Sequence, residues 1–467
     1  MKRSIVALCL LWILAGVATA RPPTTPPRVQ QKPRRPLVAK NKKATTQQQQ
    51  QQQQGGNASM TAMIFNLVNN VAGAGILSLS AGQAKGTGWI PSIGISTALG
   101  LLSARTFVMV GEACDWLEEG DFKGLWARTM GPSTTWVVDT LIAVLCVAVC
   151  IIYAGVLGDV FTPLLAQAGL PDRYNSRSSN MWILTLTCLL PMSLLKNLSA
   201  LAFTSILGFC AIMYTVFFIN VRALDGSYTL GSGKFVTDGV LDVLPSFTKT
   251  SWWNIDFSSL VLVSNLGLAY VAHYNSPSMY RELKDTNASR FGKMVNIGFF
   301  ILIFLYVITM CAGYATFGDT TLGNILLNYH PSDRLALLGQ VATGFSILFG
   351  FPLVAAGARE SLVGALSNVL PNLADYHALL VVTLLTVVTG VAVVARDISL
   401  VMGLTGASLG SFICYICPAL VYDRAVALRY GGTDSAEYRR RTVLAKALVP
   451  FGVILGALGC WMTLQSA

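Results

Sequence analysis

Residues 65–77 read Phe65-Asn66-Leu67-Val68-Asn69-Asn70-Val71-Ala72-Gly73-Ala74-Gly75-Ile76-Leu77. Three asparagines and two glycines interrupt an otherwise apolar stretch. The surroundings are those of a lipid-facing chain: 467 residues, 53% hydrophobic and 12% charged. Soluble domains carry about 25% charged residues, and so little charge cannot cover a water-exposed surface of this size. That excludes an ordinary soluble enzyme and a disordered protein. In hydrocarbon, backbone groups freed by a helix break need partners, so residues 65–77 call for an explanation.

Moving outward, apolar segments recur at about 62–83, 90–111, 136–157, 181–196, 198–221, 257–277, 294–317, 335–358, 378–395, 398–421 and 443–464. Most are long enough for the roughly 20 residues that cross a bilayer. The sixth contains a second interruption, Asn265-Leu266-Gly267-Leu268-Ala269-Tyr270-Val271-Ala272-His273-Tyr274-Asn275-Ser276-Pro277. The two interruptions lie five segments apart, in matching positions of two halves. That pattern marks the binding site of inverted-repeat transporters.

The chemistry follows from the expected breaks. Gly73 and Gly75 let the chain unwind, which exposes the Ala74 and Gly75 amides at the start of a half-helix, a setting that suits a carboxylate. Upstream carbonyls and the Asn69 side chain offer oxygens to a small cation. In the sixth segment, Ala272, His273, Asn275 and Ser276 can supply carbonyls for an ammonium group and space for a side chain. An amino-acid zwitterion fits both ends. The plainer reading, close helix packing through small residues, explains the glycines and leaves the three asparagines unexplained. Arg105 and Asp139, near segment ends, are expected to snorkel.

The formal net charge is +11, yet the basic residues sit in the head and in loops beside apolar runs. With the head inside, loops on that face hold 22 Lys/Arg against 8 on the other. This is the positive-inside pattern and does not point to nucleic acid. The ten cysteines show no metal-ligand spacing and read as small core residues. No metal is expected, and no cofactor beyond a co-transported H+ or Na+.

Residues 1–20 have a basic start (Lys2, Arg3), an apolar stretch and the small-residue end Ala18-Thr19-Ala20, the shape of a secretory signal peptide. Residues 21–59 carry eight Lys/Arg, no acid, six prolines and the run Gln47–Gln54, a composition that cannot bury a core. This disordered stretch reads either as a solvated cytosolic tail or as the second half of a bipartite plastid presequence. The membrane body is residues 60–464. The membrane of residence (plasma membrane, vacuole or lysosome, plastid envelope) stays open.

At the interrupted segments the chain resembles the amino acid/auxin permease family, in its sodium-coupled neutral amino acid transporter branch. The string FNLVNNVAGAGILSLS (65–80) is similar to that family's opening signature. Further likenesses follow in order: Tyr153 with Gly158-Asp159, LLPMSLLKNLSALAFTSILG (189–208), HYNSPSMYRELKD (273–285), GYATFGD (313–319), FPLVAAGARESL (351–362) and MGLTGASLGSFICYICPALVY (402–422). The resemblance implies an all-α polytopic protein of eleven transmembrane helices. It also implies a LeuT-type five-plus-five inverted repeat with helices 1 and 6 broken, and alternating access. The implied activity is secondary transport of an amino acid across the lipid bilayer, not catalysis, and a monomer is expected. Carried over by position, the Ala74 and Gly75 amides hold the substrate carboxylate. Asn69 and the Ala72 carbonyl belong to the cation site, while Asn70, Gly73, Tyr153 and the 272–276 break line the substrate pocket.

The chain departs from that branch before Pro352. Leu348 and Gly350 stand where sodium-coupled members carry hydroxyls, and Ser346 is the nearest one left. The loop 222–256 also lacks cysteine, so an outer disulfide of some relatives cannot form. With the cation cage short of oxygens, and His273 able to titrate near physiological pH, the expected driving ion is the proton. Named pocket residues are small or amide-bearing, which favours small or polar neutral amino acids. The rival reading is a membrane amino-acid sensor that binds in the same pocket without net transport. No carboxylate pair, nucleophile elbow or phosphate loop suggests an enzyme. The sequons at Asn57, Asn197 and Asn287 all fall in loops assigned to the inner face and are expected to carry no sugar.

Overall fold

The computed structural model describes residues 56–169, 171, 175–195, 202–237, 244–367, 369–370, 372–395 and 397–466. The signal-like segment, nearly all of the 21–59 stretch and the Asn197 sequon lie outside the described residues. The interrupted first segment is helix α1 (Met60–Val71), a 3-10 stretch at Ala74–Ser78 and α2 (Leu79–Ala84), bent by 48°. Ser59 caps α1 by accepting a hydrogen bond from the Ala62 amide. Then come α3 (Trp89–Leu117), α4 (Phe122–Met130) and α5 (Thr135–Gln167). Next are α6 (Arg177–Leu184), which runs through a π turn at Thr185–Leu189 into α7 (Leu190–Ser193), then α8 (Ala202–Leu224) and the single turn α9 (Lys234–Thr237).

The second interrupted segment is α10 (Ser259–Ala269), a 3-10 turn at His273–Asn275 and α11 (Ser276–Glu282), with Pro277 in the first turn of α11. Pro suits that position because the missing N–H has no intrahelical partner there. The chain continues through α12 (Ala288–Phe317), α13 (Arg334–Leu366), α14 (His377–Val394), α15 (Ile398–Thr405), α16 (Cys417–Arg429) and α17 (Ala436–Gln465). The π-helical stretches Gly406–Gly410 and Phe412–Ile416 join α15 to α16. Asp397 caps α15, so the nearly continuous ninth and tenth apolar segments do part there.

Among the described residues, eight helices are long and apolar enough to cross a membrane, or nine when the bent pair α1–α2 counts as one. The protein is an all-helical, multi-pass integral membrane protein. Several helices run past the apolar segment that nucleates them, as α5 does to Gln167 and α13 to Leu366. Asp139 does not snorkel: it is largely buried and accepts a 2.5 Å bond from Lys123 on α4. Arg105, by contrast, stays partly exposed and pairs with Glu112 at 3.1 Å.

Close backbone crossings hold the interrupted elements in place. A Cβ on Gly267 would meet the Gly406 carbonyl oxygen at 2.7 Å, and one on Gly410 would meet the Gly267 carbonyl oxygen at 2.6 Å. Small residues thus let α10 lie directly against the π-helical stretch, the usual means of tight packing in a bilayer.

Candidate functional site

Between Val71 and Ala74 the chain leaves the helix, with Gly73 extended and its neighbours at the edge of two cavities. The larger, about 440 Å3, is walled by α1 and the first break, α8, α11 and α13. Its liners include Asn66, Asn69, Asn70, Ala72, Gly73, Ala74, Tyr153, Asn275 and Ser346. It runs down to Glu282, where the chain at Ala58 pairs with Leu283. The smaller, about 130 Å3, lies on the other side of the break against α5 and α10. Asn70, Gly73, Ala74, Tyr153 and Val354 border both. Gly75 borders the smaller one, with Cys146, Ala269, Val271 and Tyr274.

The two breaks are tied together. Asn275 Nδ2 donates to Asn70 Oδ1 at 3.0 Å. Asn265 Nδ2 donates to the Ser78 carbonyl at 3.0 Å. Gly75 meets Ala269 so closely that a Cβ would stand 3.0 Å from the Ala269 Cα. At Gly73 a Cβ would make only ordinary contact, 3.4 Å from the Tyr153 hydroxyl.

Not every candidate residue reaches a cavity. His273 is fully buried, its Nε2 2.9 Å from Thr106 Oγ1 and 3.0 Å from the Ser103 carbonyl on α3. Ser276 is also fully buried and donates to the Phe107 carbonyl at 3.0 Å. Both lock the second break onto α3, and neither lines either cavity. Ala272, with no exposure, borders neither cavity either.

The hydroxyls on α8 and α13 were only partly foreseeable. Thr215 and Thr343 line the larger cavity and share a 2.8 Å hydrogen bond. Ser346 lines it too and donates to the Gly208 carbonyl at 3.3 Å. Leu348 does not line it, whereas Gly350 does. Glu282 supplies the only carboxylate among the residues around either cavity, at the mouth of the larger. Reading along the chain finds Asn69, Asn70 and Gly73, which share one string. It misses Thr215 and Thr343, 128 positions apart, because nothing local announces that their helices meet. Asn66 stood inside the quoted string and could have been found by its one-turn spacing from Asn70.

This geometry joins a broken polar segment to two part-open cavities of mixed polar and apolar lining inside a helical bundle. A family model for "Transmembrane amino acid transporter protein" matches residues 56–465. The chain belongs to the transmembrane amino acid transporter family. Among curated relatives, this family member is 26% identical to vacuolar amino acid transporter 5 of Schizosaccharomyces pombe, over 85% of this chain and 92% of the relative. It is 21% identical to putative sodium-coupled neutral amino acid transporter 11 of Mus musculus, over 88% of this chain and 86% of the relative. Rat solute carrier family 38 member 10 is 23% identical, but the match covers only 33% of that longer protein. Among solved structures, MhsT in complex with L-phenylalanine shares the fold, with a TM-score of 0.53 and 11% identity, covering 87% of this chain and all of that one.

Proposed function

We propose that this family member is a secondary active transporter that moves neutral amino acids by alternating access, driven by a cation gradient. The observation that carries the reading is the pair of interrupted segments facing one another across the cavities, joined by Asn275 and Asn70. The amides of Ala74 and Gly75 open the 3-10 stretch after the break and suit a carboxylate at a helix start. Carbonyls at the ends of α1 and α10 suit the ammonium group. The smaller chamber has no charged liner and is walled by Leu145, Val149, Ile152 and Leu268, which suits a neutral side chain. His273 and Ser276 hold the second break instead of touching substrate.

The reading includes eleven spans in a LeuT-type five-plus-five repeat, and contacts between loop ends support the count. Ser246 pairs with Gly318, so the chain between them crosses an even number of times. Only α12 is a long span there, which makes α10–α11 a crossing. Gln167 Nε2 likewise donates to the Pro331 carbonyl at 3.1 Å, and an even count between them makes α6–α7 a crossing as well. The reading also takes the monomer as the transporting unit. The body begins near residue 60, behind a signal-like segment and a basic tail.

For the driving ion we favour the proton. Asn69, Ala72 and Ser346 line the larger cavity, but Leu348 and Gly350 beside Ser346 bring no side-chain oxygen to the set. A sodium cage needs several oxygens free to converge. Uptake of radiolabelled amino acids into proteoliposomes tests the reading. It is expected to rise as the outside is acidified and to persist when choline replaces sodium. Collapse in choline at constant pH would make sodium the driving ion.

A further inference from the structure

Tyr306 lies on α12, outside both interrupted segments, and lines neither cavity. Its side chain is fully buried, and its hydroxyl donates to the Val71 carbonyl at 2.9 Å and to the Ala269 carbonyl at 2.8 Å. Val71 is the last residue of α1 and Ala269 the last of α10. One hydroxyl therefore bridges the points at which both segments leave the helix. Its ring packs on Tyr270, beside the second break, with centroids 5.1 Å apart. Tyr270 is anchored in turn, donating to the Ser96 carbonyl on α3 at 3.1 Å.

The chemistry of the bridge is constrained. A phenol has one hydrogen to give, and two buried carbonyls compete for it. Carbonyls at a helix end in a low-dielectric interior need donors. Both residues also border the smaller chamber, so the orientation of these carbonyls shapes its polar end. If the hydroxyl is lost, each break must find another donor, and the two are no longer held to a common point.

We propose that Tyr306 is a positioning residue for amino-acid binding: its hydroxyl couples the first and second breaks, so that both adopt the binding geometry together. The proposal rests on the reading that the breaks hold the substrate. Tyr306→Phe keeps the ring and removes the bridge. Binding of the full set of standard L-amino acids to the purified full chain would be measured by ligand-induced thermal shift. Hydrogen–deuterium exchange of peptides covering 68–78 and 266–276 would be followed in parallel. We expect roughly a tenfold rise in Kd for whichever amino acids bind the parent protein, the scale of one lost buried hydrogen bond. Exchange should quicken in both breaks together and stay unchanged in α3. Tyr314→Phe, on the same helix with its hydroxyl near Thr250 at 3.2 Å, should alter neither.

Parent-like Kd and exchange in Tyr306→Phe would overturn the proposal while leaving the site itself standing. Quickened exchange in one break alone would also overturn it. A parent protein that binds no amino acid would fail the site reading, and the proposal with it. Should Tyr306→Phe yield no folded protein, 3-fluorotyrosine at position 306 retains ring and hydroxyl and sharpens the donor. Slower exchange in both breaks is then expected, and unchanged exchange overturns the coupling.

Discussion

The segments 60–84 and 259–282 use the same means, a helix, a short irregular stretch and a second helix, yet they meet the cavities differently. The first turns the residues at and around its break inward: Asn69, Asn70, Ala72, Gly73 and Ala74 all line the larger cavity. The second sends Asn275 there and Tyr274 to the smaller cavity, while His273 and Ser276 are held in the protein against α3. An interrupted helix in a bilayer has two needs, a binding surface and partners for its freed polar groups. Here the first break mainly answers one need and the second mainly answers the other.

Glycine substitutions should break this contrast most sharply. Gly75→Val pushes a branched side chain into the Ala269 backbone, so we expect uptake to vanish and the yield of folded protein to fall. Loss of uptake by that variant alone cannot separate binding from packing. Gly73→Ala can, because its Cβ meets only the Tyr153 hydroxyl at ordinary distance. We expect a normal melting temperature with Kd raised about tenfold, the scale of one disturbed buried contact. Unchanged binding would return Gly73 to a purely conformational role.

Next in size is the link between the breaks. Asn70→Ala and Asn275→Ala should each raise Kd by roughly fivefold to tenfold, the scale of one lost hydrogen bond. Together they should cost less than the sum, since each removes the same 3.0 Å bond. Strict additivity in the double-mutant cycle would show that the two asparagines act apart. His273→Ala should do the reverse of the glycine at 73. It removes one hydrogen-bond partner each from Thr106 and Ser103 and empties the space of a fully buried ring, destabilising the protein by ~1–3 kcal/mol while Kd stays within about twofold. A larger change in Kd than in melting temperature would place substrate at the second break.

The smallest expected effect is none. Asn57 lies beside the Ala58–Leu283 pairing and Asn287 caps α12 a few residues on, so both sequons share one face. Asn57→Gln and Asn287→Gln should leave the mass of the mature protein free of any glycosidase-sensitive change. A shift lost in either variant would turn that face toward the lumen.

Much of this was legible along the chain because periodicity and interruption are local properties. The apolar segments, the Gly73–Gly75 break and the parting at Asp397 each follow from a few neighbouring residues. The fourth segment, 181–196, has the weakest local signal, because α6–α7 is short and carries Pro191 at the start of α7, after a π turn. What stayed hidden depends on encounters between distant helices. Tyr306 meets Val71 across 235 positions, and no spacing rule links a tyrosine on one span to a carbonyl on another. His273 was conspicuous as a titratable group at a break, but only its burial against α3 shows which way it turns. Residue type pointed to chemistry, and packing decided where that chemistry faces.

The decisive measurement is accumulation, not binding. Purified full-length protein in sealed proteoliposomes, given radiolabelled neutral amino acids under an imposed inward proton gradient, should concentrate at least one of them above the outside level. That gradient should fall when a protonophore is added, and Gly73→Ala should slow its build-up. Saturable binding with no accumulation, in vesicles shown to hold a proton gradient, would contradict transport through this site.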